Sequence, residues 1–249
     1  MTPTLEVSDL VVRIGDADIL RGVDLRAHPG EVVALVGRNG AGKTTLLRAL
    51  VGFLRPTRGR IVAGGVDVAA ADRAALRRLR ARIGFMPQGL GLADGLSVFH
   101  NALHGALGRR GPRVWWPVLA PGDERRLAAE CLARVGLAEL AERRVSRLSG
   151  GQRQRVALAR MLVQRPSLVL ADEPVASLDP VTSRSVMALL RELAREQGIT
   201  VLVSLHQLEH AREFADRIVG LADGQVVLDR GCADLEPAEL DDIYEAVPA

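Results

Sequence analysis

The sequence has few aromatic residues and few cysteines, and it has no long apolar run. Aromatic residues make up 3% of the 249 residues and hydrophobic residues 48%, so we expect a core of aliphatic side chains. The two cysteines, Cys131 and Cys232, give neither a disulfide framework nor a metal-ligand spacing, as is typical of a reducing cytosol. No stretch approaches the roughly 18–20 apolar residues that would cross a bilayer. Residues 1–9 lack a basic region followed by an apolar one, so we expect no export signal.

Lysine is almost absent as well. Lys43 is the only one, and the other 32 of the 33 basic residues are arginine. The net charge of +3 is too small to indicate a nucleic-acid partner. A single lysine in so arginine-rich a chain marks a position that needs a compact ammonium group rather than a planar guanidinium. We therefore expect Lys43 to lie in a binding site.

The spacing of apolar residues predicts an α/β fold. Strands are predicted at 4–12, 18–26, 31–37, 60–66, 82–86, 167–171 and 199–204, and helices at 43–52, 72–80, 97–107, 123–135, 150–164 and 181–197. The strand pattern stops between about 89 and 165, where the Gly/Pro-rich segment 108–122 separates the helices. Asp223-Gly224 between two β-rich runs predicts a hairpin turn. The sequence thus predicts a mainly parallel sheet, an N-terminal antiparallel sheet and a helical insertion.

A glycine-rich loop with the only lysine lies between a predicted strand and a predicted helix. It fits the phosphate-loop pattern G-x-x-x-x-G-K-[ST]. Its glycines let backbone N–H groups surround phosphate oxygens, Lys43 would reach the β- and γ-phosphates, and the Thr44 hydroxyl would bind Mg²⁺. The loop predicts binding of a nucleoside triphosphate. Its residues are Gly37, Arg38, Asn39, Gly40, Ala41, Gly42, Lys43 and Thr44.

Two carboxylates follow the predicted strand at 167–171. Asp172 at its carboxyl end would lie beside the Mg²⁺ at the ligand-binding edge of the sheet. Glu173 would then be the general base that polarises the attacking water. An acidic turn at a strand end is the alternative, and the phosphate loop argues against it.

A second helix start can also bind an anion. Ser149 followed by two glycines would present a hydroxyl and backbone N–H groups, although a simple N-cap explains the same residues. Two phosphate-binding helix starts exceed what one triphosphate needs, and a head-to-tail dimer in which each chain donates one half would use both. The segment is Leu148, Ser149, Gly150, Gly151 and Gln152.

The phosphate loop, LSGGQ at 148–152, LVLADEP at 168–174, SLDP at 177–180 and His206 after a strand together resemble the ATP-binding subunit of ABC transporters. The resemblance covers essentially the whole chain in order and spacing. It implies a phosphate-loop NTPase core at 1–88 and 166–249, with a helical subdomain at 89–165, in a single domain. It also implies an ATP hydrolase that works as a homodimer around two ATP–Mg²⁺, each phosphate loop facing the partner's LSGGQ.

The resemblance assigns further residues. Gln88 would sense Mg²⁺ and the membrane partner, Asp179 would couple the two sites of the dimer, and His206 would contact the γ-phosphate. Glu173, His206 and Gln88 are then the expected catalytic residues, and ATP contacts extend to Thr45. The expected Mg²⁺ ligands are Thr44, Gln88 and Asp172.

Finer motifs resemble phosphonate importers. These are residues 172–180, residues 204–207 and NALHGALG at 101–108 before a tryptophan-containing loop. The expected partners are a second copy, an integral membrane permease and, indirectly, an extracytoplasmic solute-binding protein, with no nucleic acid. The expected location is the cytoplasmic face of the inner membrane. Alternatives are an exporter subunit, an importer of another solute, a soluble ABC ATPase acting on nucleic acid or the ribosome, and a phosphate-loop kinase.

Three residues leave open questions. Ile14 occupies the place of the aromatic residue that usually stacks on adenine in this family, which predicts weak nucleotide affinity or relaxed base selectivity unless the partner chain supplies a ring. Trp115 and Trp116 either pack a long loop onto the helices or form an exposed patch that docks a cytoplasmic helix of the membrane subunit. The Arg/Ala-rich helix near 72–80 is interpreted as a solvated surface.

Overall fold

A computed structural model describes residues 2–235, which form two β-sheets and a set of helices. The strands are β1 (Leu5–Ile14), β2 (Ala17–Ala27), β3 (Val32–Val36), β4 (Arg58–Ala63), β5 (Val66–Asp67), β6 (Ile83–Met86), β7 (Leu168–Asp172), β8 (Thr200–Ser204), β9 (Arg217–Ala222) and β10 (Gln225–Gly231). The α-helices are α1 (Lys43–Leu50), α2 (Arg73–Arg80), α3 (Val98–Leu103), α4 (Leu107–Arg110), α5 (Gly122–Arg134), α6 (Gly150–Val163), α7 (Pro180–Gln197) and α8 (Leu208–Phe214).

The larger sheet has the order β10-β9-β3-β8-β7-β6, and its inner strands are parallel. Every residue of β3, β7 and β8 is buried, because helices or the second sheet cover both faces. Along β3, Val33 and Leu35 face the core that contains α1, while Val32, Ala34 and Val36 face the core that contains α6 and α7. The carboxyl ends of β3, β7 and β8 therefore meet at one edge, where the candidate site lies.

The smaller sheet is antiparallel, with the order β2-β1-β4-β5. Its inner face packs on the other side of α1, so α1 lies between the two sheets. The predicted fold class, a mainly parallel core with an N-terminal antiparallel sheet and inserted helices, is confirmed. Residues 236–249 of the predicted core lie outside the described residues, and the division of the chain at 88/89 and 165/166 stays a prediction.

Two local predictions need correction, and one helix was not predicted. The single strand expected at 60–66 is a hairpin, because Gly64 and Gly65 turn the chain at φ values of 54° and 79° between β4 and β5. The Gly/Pro-rich segment 108–122 is partly helical, with the end of α4 and a 3-10 turn at Gly111–Trp115. Helix α8 carries no side-chain N-cap and only seven residues, so the sequence pattern did not indicate it.

Within residues 2–235, none of the helices has the length and apolar character that a membrane span requires.

Candidate active site

The loop between β3 and α1 has the backbone conformation that the phosphate-loop pattern requires. Gly37, Gly40 and Gly42 have φ values of 145°, 85° and 103°, in the region that favours glycine. A Cβ on Gly37 would lie 2.1 Å from the carbonyl oxygen of Leu221, so no larger residue fits there. The glycines thus fix a tight loop at the start of α1, and the helix N-terminus adds a positive dipole end.

Lys43 is buried at the start of α1. Its Nζ donates hydrogen bonds to the carbonyl oxygens of Gly37 at 2.6 Å and Arg38 at 3.1 Å. Burial lowers the pKa of this ammonium group, and the charges of Glu173 and Asp172 oppose that effect. The two carbonyl contacts hold the ammonium beside the loop, within the cavity where phosphates would bind.

Asp172 forms the centre of a hydrogen-bonded cluster at the carboxyl edge of the sheet. Its Oδ2 accepts a hydrogen bond from the Thr44 hydroxyl at 2.8 Å, and its Oδ1 accepts one from the Ser204 hydroxyl at 2.7 Å. Asp172 and Ser204 are paired in register at the ends of β7 and β8, and both are buried. The contact with Thr44 joins the phosphate loop to β7, so the structure brings these two predicted site residues together.

The residues around Asp172 suit a magnesium ion. Mg²⁺ prefers oxygen ligands, and it is commonly bound by one carboxylate or two together with substrate phosphates and water. The Thr44 hydroxyl and the Asp172 carboxylate supply such oxygens next to the phosphate loop. The amide of Gln88, the third expected ligand, directs its Nε2 toward Oε2 of Glu173 at 3.5 Å.

Glu173 lies directly after β7 in a strained backbone conformation. Its φ of 53° is left-handed, which costs a residue with a side chain about 1–3 kcal/mol unless the surroundings fix it. Its N–H donates to Oγ of Ser204 at 2.9 Å, and its carbonyl oxygen accepts from Nε2 of Gln154 at 3.1 Å. Such strain is concentrated at functional sites, and here it directs the carboxylate toward the phosphate loop.

The Glu173 carboxylate is held by the two other residues expected to be catalytic. Its Oε1 lies 2.5 Å from Nε2 of His206, and its Oε2 lies 3.5 Å from Nε2 of Gln88. The three side chains come from the ends of β7, β8 and β6, which are consecutive in the sheet. The structure therefore brings Glu173, His206 and Gln88 together.

Ser149 caps helix α6 through a reciprocal pair of hydrogen bonds. Its Oγ accepts from the N–H of Gln152 at 3.3 Å, while Oε1 of Gln152 accepts from the N–H of Ser149 at 3.0 Å. The N-cap alternative is therefore correct, and it leaves the Ser149 O–H free to donate to a phosphate. None of the residues 148–152 lines the cavity at this chain's own phosphate loop.

That cavity has a volume of about 420 Å³ and opens beside the first strand pair. Ile14, half exposed at the end of β1, lies at its rim together with Ile19 of β2. The side chains at this rim are thus aliphatic. The remaining lining residues are Asn39, Gly40, Ala41, Gly42, Lys43, Thr44, Thr45, Gln88 and Glu173.

Asp179 lies apart from this cavity and caps helix α7. Its Oδ1 accepts hydrogen bonds from the N–H groups of Thr182 at 3.0 Å and Val181 at 3.1 Å. Hydrogen bonds from Thr182, through its side chain and its backbone, lower the pKa of the Asp179 carboxyl, with smaller contributions from other backbone groups. The structure gives Asp179 a capping role, and its coupling role stays a prediction.

Sequence reasoning missed two residues that hold the site. Ser204 bridges Glu173 and Asp172, and Gln154 reaches Glu173 from α6. Both residues have sequence features that could have indicated them. Ser204 ends a strand next to the one that ends in Asp172, and Gln154 is a polar residue in line with Leu158 and Met161 on the buried face of α6.

The chain resembles known proteins over almost its whole length. Residues 20–176 match the family described as ABC transporter. A protein named phosphonates import ATP-binding protein PhnC from Frankia casuarinae is 52% identical over 95% of this chain and 94% of its own length. A protein named phosphite import ATP-binding protein PxtA from Stutzerimonas stutzeri is 44% identical over 98% of this chain and 90% of its own length.

A solved structure gives the same fold. It is a dimeric ATP-binding cassette in a post-hydrolysis state bound to ADP and Pi. It is 32% identical and has a TM-score of 0.82, covering 92% of this chain and 98% of the other.

Proposed function

This chain belongs to the ABC transporter family, and from this membership we propose that it is the ATP-hydrolysing subunit of an importer for phosphonates or a related phosphorus oxyanion. Members of the family bind and hydrolyse ATP. The observation that carries the proposal is the joint presence of Lys43, Asp172, Glu173 and His206 at one sheet edge, in a chain similar throughout to phosphonate and phosphite import proteins.

The phosphate loop and Asp172 would bind ATP and its magnesium ion. Backbone N–H groups of the loop surround the phosphates, and Lys43 leaves its carbonyl partners to reach the β- and γ-phosphates. Thr44 and Asp172 would hold the metal, since their oxygens are already adjacent. Mg²⁺, when bound, neutralises charge on the phosphates and orients them.

Glu173 would act as the general base. Its carboxylate, held by His206 and Gln88, positions the attacking water in line with the γ-phosphate. Once a phosphate is present, His206 would donate from Nε2 to the phosphate instead and stabilise the charge that develops there. Gln88 would respond to the bound metal and to the state of the membrane partner.

A second copy of the chain would complete the site. In the described residues the Leu148–Gln152 segment lies outside the chain's own ATP cavity, while the Ser149 hydroxyl retains a proton to donate. In a head-to-tail dimer each Ser149 would bind the γ-phosphate held by the partner's phosphate loop. The γ-phosphates join the two halves through charge-assisted hydrogen bonds, so their loss reopens the dimer.

A membrane permease would dock in a groove of about 1020 Å³ between the core and the inserted helices. Phe53 and Phe85 form an aromatic pair in the groove, and Arg160 joins it to the segment after Gln88 by donating to the carbonyl oxygens of Leu90 and Gly91 at 2.6 Å. The partner that fits is a cytoplasmic helix with apolar and acidic side chains, because the groove is rich in arginine. These arginines are Arg48, Arg73, Arg77, Arg80 and Arg160.

Docking there would place the chain at the cytoplasmic face of the inner membrane. The ATPase chemistry does not require this chain to bind the transported solute. An extracytoplasmic solute-binding protein would therefore bind the solute and deliver it to the permease.

The alternatives differ in their partners or motifs. An exporter subunit, or an importer of another solute, would keep the same ATPase geometry and differ only in the permease. A soluble ABC ATPase of nucleic acid or the ribosome would differ in its partners, and the similarity throughout to phosphonate and phosphite import proteins argues against it. A phosphate-loop kinase would leave Leu148–Gln152 and Asp179 without a role.

Growth on a single phosphorus source tests the transported solute. Cells that lack this chain should fail to grow on 2-aminoethylphosphonate or on phosphite and should grow normally on inorganic phosphate. Wild type should restore growth, and Lys43→Ala should not, because the phosphates lose their ammonium contact. Undiminished growth of the deletion strain on both sources would contradict the proposed solute class. If the purified chain still hydrolysed ATP, the family assignment would stand.

Glu173→Gln tests the general base. We expect the variant to bind ATP, to dimerise in its presence and to hydrolyse it at least about a hundredfold more slowly, because the amide cannot accept the proton from water. Hydrolysis is measured as released phosphate and dimerisation by light scattering. Glu209→Gln, an exposed carboxylate three residues beyond His206, is the matched control and should hydrolyse ATP normally. Near-normal hydrolysis by Glu173→Gln would remove Glu173 from this role.

A further inference from the structure

We propose that Gln154 is a positioning residue that holds the Glu173 backbone in its left-handed conformation and thereby ties the carboxylate to helix α6 of the same chain. The inference rests on the proposed role of Glu173 as general base. It adds a link between the segment that binds the partner's ATP and the base that acts on the chain's own ATP.

Hydrogen bonds hold the Glu173 backbone on both of its sides. The N–H of Glu173 donates to Ser204 of β8, and its carbonyl oxygen accepts from Nε2 of Gln154 at 3.1 Å, with a longer bond of 3.3 Å from the N–H of Ala176. Side chains from two separate elements thus hold the polar groups on both sides of the residue. A conformation that is unfavourable for a residue with a side chain persists when its surroundings fix it in this way.

Gln154 contributes little to the stability of the fold. The side chain is 6% exposed, and its Oε1 has no hydrogen-bond partner among the described residues. A buried amide oxygen without a partner is unfavourable, and an apolar side chain of the same size would avoid that penalty. The Nε2 bond to Glu173 is therefore the contact that accounts for a glutamine at this place.

Helix α6 connects Ser149 at its start to Gln154. Gly150 and Gly151, in its first turn, lie against Ser177 and Leu178, which follow Glu173 along the chain. Gln154 lies one turn further on. When Ser149 at the helix start binds the partner's γ-phosphate, any shift of α6 is passed through Gln154 to the Glu173 carbonyl. The base would then reach its hydrolytic position only when both chains have closed on ATP.

The experiment measures ATP binding and hydrolysis separately in the purified full-length chain with Mg²⁺. In Gln154→Leu we expect kcat to fall about tenfold or more, because displacement of a catalytic group by a fraction of an ångström is sufficient for such a loss. The Kd for ATP should stay within about twofold of wild type, since the phosphate loop is untouched, and the melting temperature should not fall. This combination separates a positioning role from a structural one.

Gln164→Leu is the matched control. Gln164 is a glutamine at the other end of α6 whose Nε2 also donates to backbone carbonyls, those of Arg80 and Ile83. Its substitution removes the same kind of bond at a distance from Glu173, so kcat should stay near that of wild type. An equal loss of kcat in the two variants would overturn the proposal, because it would reflect general loosening of the helix.

The remaining outcomes are also decisive. Unchanged kcat in Gln154→Leu overturns the proposal. If Gln154→Leu does not fold, Gln154→Met replaces it, and failure of both variants to fold overturns the proposal by showing that Gln154 supports the fold itself. Glu173→Gln is measured alongside. Normal hydrolysis in Glu173→Gln means that the proposed function of Glu173 has failed, whereas a slow Glu173→Gln with a normal Gln154→Leu means that only this inference has failed.

Discussion

Ile14 is the residue at which this chain departs from the aromatic stacking residue expected of its family. It is 49% exposed and lines the ATP cavity with Ile19, so a base bound there would meet aliphatic side chains from two adjacent strands. An aliphatic side chain offers apolar contact but lacks the flat π-face on which a base stacks. The weakness of base recognition stays a prediction, with which this aliphatic rim is consistent.

We expect Ile14→Tyr to tighten the Kd for ATP by about tenfold, because base–aromatic stacking contributes about 1–3 kcal/mol and Ile14 already supplies part of the contact. Nucleotide titration by calorimetry measures this. Val227→Tyr, an exposed aliphatic residue on β10 that does not line the cavity, should leave the Kd unchanged. Equal affinities of Ile14→Tyr and wild type would contradict the expectation and would favour a ring supplied by the partner chain.

Among the elements, the inserted helices are joined by a buried carboxylate. Glu124 of α5 is fully buried, and its carboxylate accepts hydrogen bonds from Arg109 at 2.9 Å and Arg110 at 2.8 Å. Arg109 also donates to the carbonyl oxygens of Val163 and Gln164 at the end of α6. The Glu124 carboxylate and its two arginine partners therefore hold α4, α5 and the end of α6 together, and α6 is the helix that reaches Glu173.

Glu124→Ala should lower the free energy of unfolding by about 3 kcal/mol, since it removes the buried carboxylate that accepts charge-assisted hydrogen bonds from Arg109 and Arg110. Asp123→Ala is the matched control. The pair of Asp123 with Arg110 is exposed and should contribute less than about 1 kcal/mol. Urea unfolding of both variants measures the difference, and equal losses would contradict a special role for the buried carboxylate.

The same carboxylate makes stability depend on pH. Burial raises the pKa of Glu124, but the hydrogen bonds and charges of Arg109 and Arg110 outweigh it and hold the pKa below its usual value of 4.5. A carboxyl whose pKa is lower in the folded state than in the unfolded state contributes its full stabilisation at pH values above the unfolded-state pKa. That contribution is lost as the pH falls toward the folded-state pKa. As the pH drops below 4.5, the free energy of unfolding of Glu124→Gln should therefore fall less than that of wild type, because the variant has no carboxyl to protonate at this position.

For the molecule as a whole, the exposed apolar side chains of one loop support the proposal that a membrane partner docks beside it. Trp115 and Trp116 are 51% and 66% exposed, and Val118 and Leu119 are exposed beside them. Val114 and Ala120 are the buried residues of the loop, so packing onto the helices does not explain Trp116. The Trp115 ring contacts His104, which lines the arginine-rich groove, at a centroid distance of 4.7 Å. The patch and the groove therefore adjoin.

The double substitution Trp115→Ser with Trp116→Ser should weaken assembly with the permease more than tenfold, because each buried interfacial tryptophan contributes about 1 kcal/mol or more. Co-purification with the co-expressed permease and the melting temperature of the isolated chain are measured together. Val227→Ser, an exposed apolar residue outside the patch, is the control. An unfolded double variant would favour the packing alternative, and unchanged assembly would place the interface elsewhere.

The sequence by itself determined the fold class, most strands and helices, and the residues of the phosphate loop. These features depend on local spacing: apolar runs define β3, β7 and β8, and glycines at fixed intervals define a loop that only a glycine-rich backbone can form. The two consecutive glycines Gly64 and Gly65 are also typical of a hairpin turn, but the predicted strand at 60–66 runs through them.

Only the tertiary structure decided which side chains hold Glu173. Ser204 and Gln154 are 31 and 19 residues away from it along the chain, and no local pattern specifies that they meet at its backbone. The parallel register of β7 with β8 brings Ser204 there, and the packing of α6 against the loop after β7 brings Gln154. The exposure of Trp116 and the burial of Glu124 were decided in the same way, because burial depends on contacts between elements distant in sequence.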